Sequence, residues 1–138
     1  MFVLDTDTLT HFLLSHKRVI EKRAQATEEV ALTVVTRIEV LQGRFASVLK
    51  AEDGEKLLLA QQRLVTNERD LAKFIVLPVD AAAAAEFDRL RQNKKLKNIG
   101  RGDLLITAIT LASRATLVTC NEKDFRKVPG LRIENWAD

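Results

Sequence analysis

The chain has one cysteine, Cys120, in 138 residues, which excludes an intramolecular disulfide and a thiolate cluster for zinc and is compatible with a reducing compartment. Two prolines, Pro78 and Pro129, and five glycines leave no Pro- or Gly-rich linker, and no repeat or low-complexity tract divides the sequence. There is no tyrosine and only 5% aromatic residues, so stacking platforms for single-stranded bases are scarce. Phe125 and Trp136 are available, but Trp136 is expected to pack in the core or under the C-terminus. The two histidines, His11 and His16, would stand roughly 140° apart on one helix; they share no face for a metal, and histidine catalysis is not expected. No run reaches the ~18 apolar residues that cross a bilayer, and the start of the chain lacks a basic signal region. The expectation is a soluble, unprocessed, cytoplasmic protein with no membrane partner. Lys plus Arg exceed Asp plus Glu by 22 to 19, so any affinity for polyanions must come from where the charges lie.

What is present is apolar material, 46% of residues, in short alternating runs that suit one domain spanning 1–138. Phe2 to Leu4 reads as a strand, followed by a helix through Leu9, Phe12, Leu13 and Leu14 and a basic helical stretch from Lys17 to Ala26. The β-branched run Val30 to Val35 reads as a second strand, with Thr36 as a helix N-cap and Glu39 at N3. Helical spacings then run from Thr36 to about Asp70, with a break at Asp53-Gly54 that makes two helices. Phe74 to Pro78 reads as a third strand, and Asp80 starts an alanine-rich helix with Ala83, Phe87 and Leu90 on one face. Lys94 to Arg101 is expected as a basic loop, Asp103 as the start of a buried helix over Leu104 to Ser113. Ala115 to Thr119 reads as a fourth strand and Leu131 to Ile133 as a short fifth. Alternating strands and helices predict an α/β, three-layer sandwich with a parallel four- or five-stranded sheet flanked by helices.

Four residues fall where such a sheet exposes its carboxyl edge: Asp5, Glu39, Asp103 and Asn121. Open α/β sheets bind ligands at that edge. Asp5 and Asp103 offer hard oxygens, and without Cys or His clusters the matching ion is Mg²⁺ or Mn²⁺, which suits phosphodiester hydrolysis. Each acid also has a plainer role. Asp5 and Asp103 would serve as acids at helix N-termini, and Glu39 would complete a capping box with Thr36.

The ordered blocks Leu4-Asp5-Thr6-Asp7-Thr8-Leu9, Thr36-Arg-Ile-Glu39-Val-Leu-Gln-Gly43, Ile99-Gly-Arg-Gly-Asp103-Leu-Leu-Ile-Thr-Ala108, Leu117-Val-Thr-Cys-Asn121-Glu-Lys-Asp124-Phe125 and Val128-Pro-Gly-Leu-Arg-Ile-Glu-Asn-Trp136 span nearly the whole chain. Together they resemble PIN-domain ribonucleases of the VapC toxin kind. The resemblance implies a parallel sheet flanked by helices, a carboxylate cluster holding Mg²⁺ or Mn²⁺, cleavage of RNA by metal-activated water, a homodimer and a cognate antitoxin. It assigns the principal metal ligands to Asp5 and Asp103 and the third acid to Glu39. Two positions depart from the family pattern. Asp7 stands where many relatives have Asn, and Asn121 fills a position often held by Asp. Asn, like Asp, is frequent at that position among the toxins, and Asn121 is expected to act through water; Asp124 is expected to be a helix or turn acid, the alternative being that it supplies the carboxylate in place of Asn121. Thr6 and Thr119 are candidates for supporting the carboxylates.

A basic group, Arg89, Arg91, Lys94, Lys95, Lys97 and Arg101, leads into Asp103 and would hold RNA phosphates by salt-sensitive attraction; a solvated helix end explains it equally. Two other functions compete with the nuclease. A non-catalytic module would keep the fold for RNA or antitoxin binding, consistent with the neutral Asn121. The Asp5-Thr-Asp7 pair also resembles the haloacid dehalogenase phosphatases, which implies an aspartate-based small-molecule phosphatase, although Leu9 stands where that family carries Thr or Val. A phospho-acceptor receiver domain lacks the lysine expected after Thr119.

Overall fold

A computed structural model describes residues 1–138. The chain order is β1 (Phe2–Leu4), α1 (Thr6–Leu13), α2 (Lys17–Gln25), β2 (Val30–Thr33), α3 (Val34–Lys50), α4 (Gly54–Leu71), β3 (Ile75–Leu77), α5 (Ala81–Arg91), a 3₁₀ turn (Lys94–Leu96), α6 (Arg101–Ala112), β4 (Thr116–Val118), α7 (Glu122–Phe125) and β5 (Arg132–Glu134). All five strands are parallel, in the order β3-β2-β1-β4-β5. The chain steps outward from β1 through β2 to β3 and then returns to the other side of β1 with β4. The order therefore reverses between β1 and β4, which opens a crevice at their carboxyl ends. Asp5 leaves β1 at that crevice, and Thr119 to Asn121 leave β4 beside it.

Three apolar clusters hold the layers together. Leu4, Leu9, Val19, Leu32, Val118 and Trp136 belong to one, and Val3, Ile106, Ile109, Leu117 and Phe125 to a second across the sheet. The third, Leu90, Leu96, Leu104, Ala108 and Val128, joins α5 and the 3₁₀ turn to α6. Trp136 is buried, meets the Phe2 ring edge-on at 5.3 Å, and donates from Nε1 to Glu134, so it packs as expected. Helix α6 is buried on most of its surface. Its two buried threonines are satisfied internally, Thr107 donating to the Asp103 carbonyl and Thr110 to that of Ile106, each at 2.8 Å.

Several boundaries differ from the sequence expectations. The second strand stops at Thr33, and Thr33 rather than Thr36 caps α3, its hydroxyl accepting from the Thr36 N–H at 3.1 Å. Val34 and Val35 have β propensity but join the helix because Val35 is buried against the second cluster; packing outweighs a few tenths of a kcal/mol of intrinsic preference. Glu39 consequently lies in the second turn and closes no capping box. Helix α6 begins at Arg101 with Gly100 as its cap, so Asp103 is its third residue and not its start. The basic loop contains a 3₁₀ turn capped by Asn93, whose side chain accepts from Lys95 N–H. The last strand is Arg132–Glu134, one residue later than expected. The histidine geometry also changes. Helix α1 ends at Leu13, Ser15 adopts φ 63°, and the chain turns back so that the His16 ring meets the His11 ring edge-on at 5.0 Å. His16 caps α2 through Nδ1, a structural role.

Candidate active site

Asp5 performs two tasks at once. As the N-cap of α1 its carboxylate accepts from the Thr8 N–H at 2.8 Å, and the Thr119 side chain near it favours the charged form. It is 3% exposed. Burial pushes its carboxyl above the usual carboxylate range, Thr119 and the bond from Thr8 pull it back, and the neighbouring Asp7 adds to the rise. Thr8, itself buried, ties this corner to the sheet by donating to the Val118 carbonyl at 3.1 Å. The capping role and the site role are thus compatible, because a capping carboxylate has lone pairs to spare.

Glu39 is brought in from α3 by a short hydroxyl chain. Thr6 Oγ1 donates to Glu39 Oε1 at 2.7 Å and lies 3.0 Å from Thr36 Oγ1. Gly102, one residue before Asp103, faces the same carboxylate; a β-carbon there would stand 3.1 Å from Glu39 Oε2. A cleft of about 300 Å³ between α1 and α3, lined by Thr6, Thr10, Val40 and Arg44 among others, opens beside Glu39.

Asp103 sits where these elements meet. Burial pushes its carboxyl up to about 6, and the negative fields of Asp5, Glu39, Asp7 and Asp124 act in the same direction. Five carboxylates from α1, α3, α6 and α7 and the end of β1 are therefore electrostatically coupled. As the side chains stand, no three His, Cys, Asp or Glu groups are close enough to form a ligand set. The two observations differ in range: charges interact across many ångströms, whereas ligation of a hard cation requires oxygens at about 2–2.6 Å from one point. Crowded carboxylates with no counter-charge also repel one another. The donor type fits Mg²⁺ or Mn²⁺. Cys120 lies nearby, but burial raises its thiol above the usual value, so it contributes no thiolate at neutral pH.

The fourth position is a pair. Asn121 donates from Nδ2 to Asp124 Oδ2 at 3.0 Å, and its N–H donates to Thr119 Oγ1 at 3.0 Å. Asp124 is a helix acid, as expected, yet the short helix α7 holds it within the electrostatic reach of Asp103. The sequence reading missed α7, Gly102 and the hydroxyl pair Thr6–Thr36. The Asn-x-x-Asp spacing was the available sign of the first, since residues three apart in a helix start can bond.

Of the basic group, Arg89 and Arg91 pair with Glu86 and Asp88 on their own helix. Lys94, Lys95, Lys97 and Arg101 are exposed and form no ion pair, which leaves their charge available next to α6.

The protein-family model described as PIN domain matches residues 2–131, and the chain belongs to that family. Its full-length relatives are VapC proteins. It is 26% identical to the tRNA(fMet)-specific endonuclease VapC of Salmonella typhimurium, covering 99% of this chain and 98% of that one, and 26% identical, with the same coverage, to the ribonuclease VapC2 of Rickettsia felis. Among solved structures, VapBC2 of Rickettsia felis bound to a DNA fragment from its promoter superposes with TM-score 0.76 at 26% identity over 98% of both chains. DNA-bound VapBC of Salmonella typhimurium superposes with TM-score 0.79 at 24% identity over 98% and 97%, a likeness of fold. No helix is long and apolar enough to cross a membrane.

Proposed function

We propose that the chain is a Mg²⁺- or Mn²⁺-dependent endoribonuclease and the toxin of a toxin–antitoxin pair. The observation that carries this reading is the PIN family match over residues 2–131, with Asp5, Asp7, Glu39 and Asp124 all within electrostatic reach of Asp103. Such a group is costly to keep ionised without a cation and is the place where a divalent ion would relieve the repulsion. Asp5 and Asp103 would be the principal holders and Glu39 the third acid. An ion held there would polarise a phosphate and acidify a bound water.

The chain's own residues then have distinct parts. Asp5 presents a carboxylate fixed by Thr8. Glu39 is aimed by Thr6 and accommodated by Gly102. Asn121 orients Asp124, and Asp7 adds negative charge. Lys94, Lys95, Lys97 and Arg101 hold phosphates flanking the scissile bond. Attack by water on phosphorus, with the P–O3′ bond breaking and O3′ leaving as the hydroxyl, gives 5′-phosphate and 3′-hydroxyl ends; cyclic phosphate products, which require attack by the ribose 2′-hydroxyl, would overturn it.

The antitoxin is inferred from structures of like fold, among them a toxin–antitoxin complex from Klebsiella pneumoniae and a member of the VapBC family of toxin–antitoxin systems from Mycobacterium tuberculosis. An apolar surface suited to a protein partner, a homodimer included, lies on the α3–α4 hairpin. There Phe45, Leu49 and Leu58 are 48%, 86% and 64% exposed, and Leu57 and Leu59 are exposed beside them.

The test is Asp5→Ala and Asp103→Ala. Both should lose RNA cleavage and growth inhibition while still folding and retaining the antitoxin; cleavage that survives either change would remove the site assignment. The second reading, a non-catalytic binding module, is favoured by the neutral Asn121 and the lack of a closed ligand set. It predicts RNA or antitoxin binding by the unaltered chain with no cleavage in Mg²⁺ or Mn²⁺. Hydrolysis of a small phosphate ester through an aspartyl-phosphate would instead identify a phosphatase.

A further inference from the structure

Around the corner of α6 from Asp103, the end of α5, the 3₁₀ turn and the first turn of α6 enclose a cavity of about 350 Å³. Its floor is Leu90, Leu96 and Leu104, all buried. Phe87 and Ile99, half-buried, form its walls. Arg91, Lys97 and Arg101 stand exposed at the rim. The Phe87 ring lies near two of these cations, 5.9 Å from Arg91 Cζ and 5.6 Å from Arg101 Cζ.

This combination is unusual within the chain. Phe2, Phe12 and Phe74 are engaged with other rings, Phe125 is buried, and Phe45 is exposed on α3 and does not line this cavity. Phe87 is an aromatic wall beside an open apolar hole with a cationic edge. Sites that accept flat heteroaromatic groups have this composition, an apolar interior with a few charged groups fixing the rest of the ligand. Single-stranded RNA carries both halves of the match, bases with π-faces and a phosphate at every step. A symmetric contact with a second copy through this cavity would set the same cations against one another, which disfavours that occupant.

We propose that this cavity receives an unpaired base of the RNA substrate, stacked against Phe87, while Lys97 and Arg101 hold the adjoining phosphates. Arg101 and Asp103 share the first turn of α6, so a strand seated at the cationic rim leads into the carboxylate site. The proposal rests on the endoribonuclease reading and adds to it a subsite that binds a base rather than phosphate alone.

The test uses a short single-stranded oligoribonucleotide carrying a fluorescent base analogue, and the same oligonucleotide with that residue made abasic. Both are titrated in EDTA, where binding is read without cleavage. Wild type should bind the base-bearing strand about tenfold more tightly than the abasic one. Phe87→Leu, which removes the ring, and Ile99→Met, whose unbranched chain reaches further into the cavity without adding a ring, should each weaken that preference while leaving abasic affinity and its salt dependence unchanged. If Phe87→Leu does not fold, the wild-type preference and Ile99→Met decide by themselves. Equal affinity of wild type for the two strands overturns the proposal. So does a preference that survives undiminished in both variants, or a change of oligomeric state in sedimentation with the preference intact, which would assign the cavity to a second copy. Cleavage of longer RNA by wild type in Mg²⁺ is measured in parallel. Cleavage without a base preference removes the cavity alone, whereas a base preference without cleavage of any RNA removes the nuclease reading and leaves the cavity.

Discussion

Gly102 and Glu39 are fitted to each other across two helices: the place where a Gly102 β-carbon would sit is 3.1 Å from Glu39 Oε2. The missing side chain gives the third acid room beside the first turn of α6, one residue from Asp103. Thr6 holds the opposite oxygen of the same carboxylate.

Gly102→Ala should therefore separate activity from stability. The obstructing atom is the end of a flexible side chain, which can swing outward, and alanine gains up to about 1 kcal/mol of helix propensity over glycine. Thermal unfolding should be unchanged or shifted upward, while RNA cleavage falls about tenfold or more. Full activity in this variant would show that the observed Glu39 position is not required.

The raised carboxyl of Asp103 makes the metal-free protein sensitive to pH. Its value is 3.8 as the ordinary reference and about 6 when folded, so between those two pH values the folded state binds more protons than the unfolded one. Stability accordingly falls as pH rises through this window, and the penalty is fully present above about 6. At about 1.4 kcal/mol per unit the shift would correspond to about 3 kcal/mol, reduced to about 1–2 kcal/mol because the carboxyl is only half-buried and water screens it. In EDTA near neutral pH, Asp103→Asn should raise the melting temperature by a few degrees, a difference that disappears below about pH 4. Added Mg²⁺ should raise the melting temperature of wild type more than that of the variant. A variant that melts below wild type at neutral pH in EDTA would contradict the assignment of strain to Asp103.

Lys94, Lys95 and Lys97 provide unpaired charge at the approach to α6. Changing all three to glutamine should weaken RNA binding most at low salt. The slope of log affinity against log salt should become shallower by about 2, as expected when about three fewer phosphates of a single strand are neutralised. An unchanged slope would exclude the turn from substrate binding.

Asn121 and Asp124 can be distinguished by following the Asp103 carboxyl in EDTA by carboxyl-carbon NMR. Asp124→Asn removes a negative field and should lower the pH at which Asp103 titrates; Asn121→Ala removes only a hydrogen bond and should leave it in place. Both changes should reduce cleavage, Asp124→Asn more strongly. If Asn121→Ala alone abolishes activity, the amide acts on the site directly and not through Asp124.

Much of this was readable from residue order. Apolar runs of a few β-branched residues set apart by amphipathic segments defined the alternating strands and helices, and the Asp53-Gly54 break and the Asp80 cap were placed correctly because they depend on local backbone chemistry. The errors fall where distant contacts outweigh local preference. Val34 and Val35 become helical because the core needs Val35, and this moves the cap from Thr36 to Thr33. The histidines meet because Ser15 turns the chain back, which a single-helix projection cannot represent. The sequence blocks also singled out Asp5, Glu39 and Asp103 as candidates without geometry; in the fold Asp5 follows β1, Glu39 lies in the second turn of α3 and Asp103 in the first turn of α6.

Amino-acid order alone therefore determined the class of fold and offered the candidate acids with the hard-oxygen chemistry available to them, because periodicity, capping and side-chain type are local properties. Only the tertiary structure decided how those acids interact. It set Gly102 against Glu39, linked Asn121 to Asp124, raised Asp103 by burial among like charges, and ringed Phe87 with cations. Each of these depends on through-space distance between separate elements, and distance is what the crossing of parallel strands and the packing of helices create.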